Sequence, residues 1–203
     1  MPVEKDIKYS FLKYRKFSLN RYSIEPLRFE DIFEIGKWRN EQISILRQKL
    51  PLTHNDQKRF FVEVVEKTFK EPKPEQMLFS YFLDDTCIGY GGLVHIDWNQ
   101  KIAEISFINK TERSSKRIKY YADLTNFLYL MLHLGFNVAE IENVTTETYS
   151  IRENTLSVLN ELGFTYKNKN KSSVTIEGKN YDSIFHEYNK KNFNVNKEIK
   201  EIK

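Results

Sequence analysis

The sequence predicts an α/β (α+β) fold in one domain, and three observations carry that reading. The chain has 203 residues, enough for a sizeable single core, with no internal repeat or linker. Cys87–Asp97 and Ile102–Ile108 read as two strands rich in Val, Ile, Tyr and Phe, joined by the turn residues Trp98-Asn99-Gln100-Lys101. Tyr120–Phe136 carries apolar residues at 120, 121, 124, 127, 128, 131 and 132, a helical period.

The remaining elements follow in order. Arg21–Leu27 reads as a first core strand that Pro26 ends, and Phe29–Asn40 as a helix with apolar residues at 29, 32, 33, 35 and 38. Pro51-Leu52-Thr53 opens a second helix, with Thr53 and Asp56 spaced as a capping pair. Phe60, Phe61, Val64, Val65, Thr68 and Phe69 supply its buried stripe, and Pro72 and Pro74 end it. Met77–Leu83 is a strand turning at Asp84-Asp85. Beyond the polar stretch Asn109–Lys119 and the Tyr120 helix come a short strand, Ile141–Thr146, and a helix, Glu153–Leu162, closed by Gly163. Phe164–Tyr166, Ser173–Ile176 and Ser183–Tyr188 read as closing strands. Residues 1–20 add a weakly alternating strand pair, KYSFLKY and KFSL, and 190–203 read as a frayed or loosely helical basic tail.

Charge narrows the partners. Lys and Arg total 32 against 28 Asp and Glu, a net charge of +4. Residues 1–21 carry +4 and residues 190–203 carry +3, so the body from 22 to 189 is −3. A nucleic-acid-binding core would gather cations on its own faces, so no nucleic-acid partner is expected. Cys87 stands alone, which excludes an internal disulfide and a cysteine zinc cluster. His54, His133 and His186 lack metal-ligand spacing, so no metal is expected. No apolar run reaches the ~18 residues of a membrane span, and the N-terminal stretch lacks the apolar middle of a secretory signal. A cytoplasmic protein is expected.

The hairpin places two ionisable residues, His95 and Glu104, inside apolar strands. Symmetry about Asn99/Gln100 puts them opposite one another on one sheet face. Glu104 there is either a functional carboxylate or one at a solvated face, and His95 either a site residue or one satisfied by a carbonyl.

Four segments resemble the GCN5-related N-acetyltransferase (GNAT) family: Ile88-Gly89-Tyr90-Gly91-Gly92-Leu93, Ala103-Glu104-Ile105-Ser106-Phe107-Ile108, Leu162-Gly163-Phe164 and Trp38-Arg39-Asn40. The last is similar to a motif of the branch that acetylates ribosomal N-termini, spermidine and amino-sugar nucleotides. Arg47-Gln48, Pro51-Leu52-Thr53 and Asp56-Gln57 are similar to a subgroup found in bacterial surface-polysaccharide gene sets. The resemblance covers about residues 21–189. It implies a central, mostly antiparallel mixed sheet of about six to seven strands flanked by about four helices. It also implies transfer of acetyl from acetyl-coenzyme A to a primary amine, with an amino-sugar nucleotide as the finer expectation for the acceptor.

By the same resemblance Glu104 is the catalytic base and His95 a partner in the proton path or a substrate group. Phe107 and Ile108 lie where strands splay around the thioester. Arg113, Ser114, Ser115, Lys116 and Arg117 form the coenzyme phosphate site at the N-terminus of the Tyr120 helix, with Arg152 as a further coenzyme contact. Trp38, Arg39, Asn40 and Arg47 face the acceptor, although Trp38 also fits a core position and Arg39 a helix-end cation. The chain departs from the family pattern in two places. Its phosphate loop, Glu112–Ile118, has no glycine, and the family's tyrosine acid falls at Leu159. Those departures leave two alternatives, a binding module without catalysis or an acyltransferase using another thioester or an acyl carrier protein. Edge pairing through residues 1–20 is the expected route to a homodimer.

Overall fold

The computed structural model describes residues 8–194 and 198–203. Nine strands form one sheet in the order β7-β8-β6-β5-β4-β3-β2-β1-β9. They are β1 (Lys16–Leu19), β2 (Tyr22–Pro26), β3 (Met77–Leu83), β4 (Thr86–Asp97), β5 (Ile102–Asn109), β6 (Asn143–Tyr149), β7 (Thr165–Ile176), β8 (Lys179–Asn189) and β9 (Lys200–Ile202). Every neighbouring pair is antiparallel except β5 and β6. The sheet is slightly larger than expected. The principal helices are α1 (Ile32–Glu41), α2 (His54–Phe60) continuing into α3 (Glu66–Thr68), α5 (Arg117–His133) and α6 (Glu153–Glu161), with a one-turn α4 (Thr111–Ser114) before α5.

The two sheet faces can be told apart at β4, where successive side chains point opposite ways. Tyr90 turns toward Arg39 of α1. Gly91 turns toward α5, where an added Cβ would stand 2.8 Å from Phe127 Cζ and 2.1 Å from the Ser106 carbonyl oxygen. Gly92 has no more room, because its Cβ would fall 1.8 Å from the Met77 carbonyl oxygen. The G-x-G-G run therefore lets β3, β4, β5 and α5 close on one another, and the core runs through Phe79, Tyr81, Leu93, Phe127 and Met131, all fully buried.

Several expectations change. The Thr53/Asp56 capping box forms. The stripe after it rotates, since a π turn at Phe61–Val65 inserts one residue into the helical repeat. Phe61, Val65, Thr68 and Phe69 go inward while Phe60 and Val64 are exposed. KFSL forms β1, but KYSFLKY does not form a strand. Its Tyr9 and Leu12 are core residues, and the Tyr9 hydroxyl donates to the Leu78 carbonyl. The expected frayed or helical tail instead supplies β9, which pairs with the outer side of β1. The β1 edge is thereby covered, so the expected homodimer has no free edge there. The three closing strands are one long hairpin, β7 and β8, whose Lys- and Asn-rich segment 167–172 is solvated on both faces. Residues 1–7 and 195–197, parts of the expected terminal extension and tail, lie outside the described residues.

Candidate active site

The central hairpin does not keep the symmetric register. Val94, not His95, pairs with Glu104, and a bulge places His95 and Ile96 against Ala103 alone. His95 takes φ +50°, a left-handed conformation that a histidine tolerates better than a branched residue. The Ile96 amide turns out of the ladder and donates to the Glu75 carbonyl at 2.9 Å. The bulge still brings the imidazole to the carboxylate, with His95 Nδ1 at 3.1 Å from Glu104 Oε2.

Glu104 faces a cleft of about 510 Å³ on the α1 side of the sheet. Three parts build it. The first is the parting of β5 and β6, which pair only at Ile102/Asn143, Ala103/Val144 and Glu104/Thr145. Beyond Glu104 the strands separate, and Ile105, Ser106 and Phe107 border the opening on one side with Glu147 and Tyr149 on the other. The second is the loop after α1. The Asn40 side chain accepts from Gln48 Nε2 at 2.9 Å and the Leu52 amide at 2.8 Å, and donates to the Leu52 carbonyl at 2.8 Å. Arg39 Nε donates to Gln48 Oε1 at 2.9 Å. The loop so held presents Arg47, whose Nη2 donates to Glu104 Oε1 and whose Nη1 lies 3.1 Å from Glu147 Oε2. The third is the start of α6, where Arg152 Nη2 donates to the Tyr120 hydroxyl at 3.0 Å.

Glu104, His95, Arg39, Arg47, Phe107 and Arg152 thus border one cavity. Trp38 does not; it is 4% exposed and packs in the core. Asn40 borders the cleft only through the loop it holds, and Ile108 is buried. Glu147 and Tyr149 join the site without having been expected, because the strand read as ending at Thr146 runs on to Tyr149. Its alternation of Thr145, Glu147 and Tyr149 on one face was the available signal. Burial and the neighbouring Glu147 raise the Tyr149 phenol above its ordinary pKa, so it stays protonated at neutral pH.

The expected phosphate loop is organised from within. Arg113 turns inward and forms a bidentate pair with the fully buried Asp123 of α5, both contacts at 2.7 Å. Asn109 Nδ2 and the Tyr22 hydroxyl also donate to that carboxylate, at 3.1 and 3.2 Å. The amides of Arg113 and Ser114 donate to the Lys110 carbonyl, that of Ser115 to Thr111 and that of Lys116 to Arg113. The Ser114 and Ser115 hydroxyls donate to the Thr111 and Glu112 carbonyls. Lys116 pairs with Glu112 at 3.0 Å. α5 begins at Arg117 with no side-chain cap, so its first-turn amides face outward.

Elsewhere, burial pushes the Cys87 thiol up to about 12, which leaves it protonated and unreactive. Among the described residues no group of three His, Cys, Asp or Glu side chains could hold a metal ion, and no helix is long and apolar enough to cross a membrane.

Residues 24–185 match the family described as Acetyltransferase (GNAT) domain. The chain belongs to that family and is an N-acetyltransferase. No curated protein matches the sequence. Among solved structures, the chain is similar to spermidine N-acetyltransferase from Vibrio cholerae in complex with CoA and spermine, at 13% identity and TM-score 0.74, over 85% of this chain and 97% of that one. A dodecameric structure of spermidine N-acetyltransferase from Vibrio cholerae gives 14% identity and TM-score 0.70, over 84% and 95%. At these identities the likeness establishes the fold.

Proposed function

We propose that the cleft transfers acetyl from acetyl-coenzyme A to a primary amine, with Glu104 as the base. The observation that carries this reading is the placement of Glu104 where β5 and β6 part. There a thioester entering the opening would meet an amine held on the carboxylate. The amine arrives protonated; Glu104 takes one proton, directly or through water, and the free nitrogen attacks the thioester carbonyl carbon. Backbone amides of β5 beyond Glu104, no longer paired with β6, supply donors for the developing oxyanion. The C–S bond then breaks and the sulfur takes a proton. Tyr149 is the donor this reading assigns, because Leu159 is a buried apolar residue and the Tyr149 phenol stands on the cleft wall. Phe107 borders the pantetheine path, Arg152 stands at its far side, and Lys116, Arg117 and the first amides of α5 receive the diphosphate. Arg39 and Arg47 face the acceptor, and His95 holds Glu104. A polyamine, as in the named neighbours, and an amino-sugar nucleotide, as the sequence suggests, both meet the requirement for an amine.

Calorimetric titration with acetyl-coenzyme A tests the donor, and turnover with an amine panel tests the reaction. Glu104→Gln is expected to keep donor affinity and lower kcat by about 10²–10⁴-fold. No heat up to high micromolar donor, or an unchanged rate in Glu104→Gln, would overturn the assignment.

A further inference from the structure

The cleft carries more arginines than carboxylates. Arg39, Arg47 and Arg152 border it against two carboxylates, Glu104 and Glu147. Arg39 donates to neutral partners, Tyr90 and Gln48, and Arg152 donates to the neutral Tyr120. Arg47 alone joins the carboxylates, with one guanidinium bridging Glu104 on β5 and Glu147 on β6. It occupies the place on Glu104 that an acceptor ammonium must take.

The three partners differ in freedom. The Glu104 and Glu147 side chains are 15% and 16% exposed and sit on sheet strands, while Arg47 is 50% exposed and hangs from a loop. Displacement therefore means moving the arginine. A plain amine competes poorly, since an ammonium is a point charge set against a tethered fork of several donors. An amine that also carries an anionic group faces a different balance. Its phosphate or carboxylate offers Arg47 a new bidentate partner, and its ammonium takes the vacated Glu104. The ammonium enters the seat between Glu104 and Glu147 that the guanidinium bridged, so neither half-buried carboxylate is left without a cation.

We propose that the acceptor is a zwitterionic amine whose anionic group draws Arg47 off Glu104, so that Arg47 selects for that group and blocks amines lacking it. This rests on the acetyl-transfer reading of the cleft. A polycation such as spermidine has nothing to offer Arg47 and meets Arg39 on the same acceptor side.

Binding to the 203-residue chain, measured by calorimetry without the donor, tests the selection independently of turnover. Glucosamine 6-phosphate and serine are the anionic amines, and glucosamine and spermidine the controls. Wild-type protein is expected to bind at least one anionic amine about tenfold or more tighter than either control. The phosphate and carboxylate arms tell the two anionic sources apart. In Arg47→Ala and Arg47→Gln the preference should fall to about threefold or less, and glucosamine should bind more tightly than to wild type because its seat is open. Equal or tighter wild-type binding of glucosamine or spermidine overturns the proposal, as does a preference that survives both substitutions. Failure of the acetyl-transfer reading shows separately: no amine is acetylated when acetyl-coenzyme A is added, whatever the binding preference.

Discussion

At the Glu104 end of the cleft, charged side chains from separate elements converge on open space: Glu104 from β5, Glu147 from β6, Arg47 from the loop after α1 and His95 from a bulge in β4. At the Arg113 end, nine residues further along the same strand and its exit loop, the charged and polar groups point inward or bond to one another. At one end the ion pairs line open space, where a ligand can exchange them; at the other they hold the loop shape. Under the acetyl-transfer reading, the difference teaches what can replace glycine in a phosphate loop. Glycine permits a backbone wrap by conformational freedom. Here a one-turn helix anchored by a buried ion pair gives a fixed shape instead, and the same reading leaves ligand contact to the first turn of α5 and exposed side chains.

The sharpest way to break that comparison is to remove the anchor. Asp123→Ala leaves Arg113 without its buried partner and strands Asn109 and Tyr22, so about 3–5 kcal/mol of stability should be lost. For a chain of this size that is a fall in Tm of about 10 °C, readable by thermal or urea unfolding. A loss under about 1 kcal/mol would mean the pair does not organise the loop.

The Glu104 end depends on strand closeness rather than on a buried charge. Gly92→Ala drives a Cβ to within 1.8 Å of the Met77 carbonyl oxygen, where only backbone movement can make room. The expected cost is about 1–3 kcal/mol, together with a loss of amine turnover larger than any change in donor affinity, since the strain falls in β4 two residues from Val94, the partner of Glu104. Equal loss of both would show that the two ends are not mechanically separate.

The elements with strong periodicity were legible in the sequence: β3, β4, β5, α1, α5 and the capped start of α2 all form where the patterns put them. What escaped has physical causes. A bulge changes register without changing composition, so His95 and Glu104 were matched by symmetry when Val94 is the true partner. Trp38 carried a family motif, yet an indole at that point of α1 meets the sheet and is buried. Arg113 reads as a phosphate ligand from its place in the loop the resemblance assigns, and the fold instead brings it to Asp123, whose place on the apolar stripe three after Tyr120 and four before Phe127 was the available signal. β9 escaped because three residues of Lys, Glu and Ile become a strand only against an edge that β1 provides. Glu147 and Tyr149 lay beyond a strand end placed too early.

The donor end makes a smaller prediction. If exposed cations rather than wrapped amides carry the diphosphate, acetyl-coenzyme A binding should weaken steeply with salt. Lys116→Ala and Arg117→Ala should each lower affinity by about two- to fivefold at low salt and by less at high salt. Titrations at two ionic strengths read this. Affinity insensitive to salt in all three proteins would move the diphosphate onto backbone amides.

The smallest effect concerns the sheet face opposite the cleft. His186 of β8 is 3% exposed and pairs across the ladder with Thr146, and neither His186 Nδ1 nor Thr146 Oγ1 has a hydrogen-bond partner among the described residues. Burial lowers the imidazole pKa below its ordinary value near 6.5. The folded protein therefore binds this proton less readily than the unfolded chain does, and stability rises with pH where the two states differ. The stabilisation is fully present above about pH 6.5 and is lost as pH falls toward the depressed folded value. Tm measured against pH should decline on that acid side, and His186→Leu should flatten the decline while leaving amine turnover at neutral pH unchanged. A decline of the same steepness in His186→Leu would assign the acid sensitivity to carboxylates held low by partners, Asp84 beside Arg21 and Asp182 beside Lys169 among them. That outcome would place the pH response of stability in exposed surface pairs rather than at the buried imidazole.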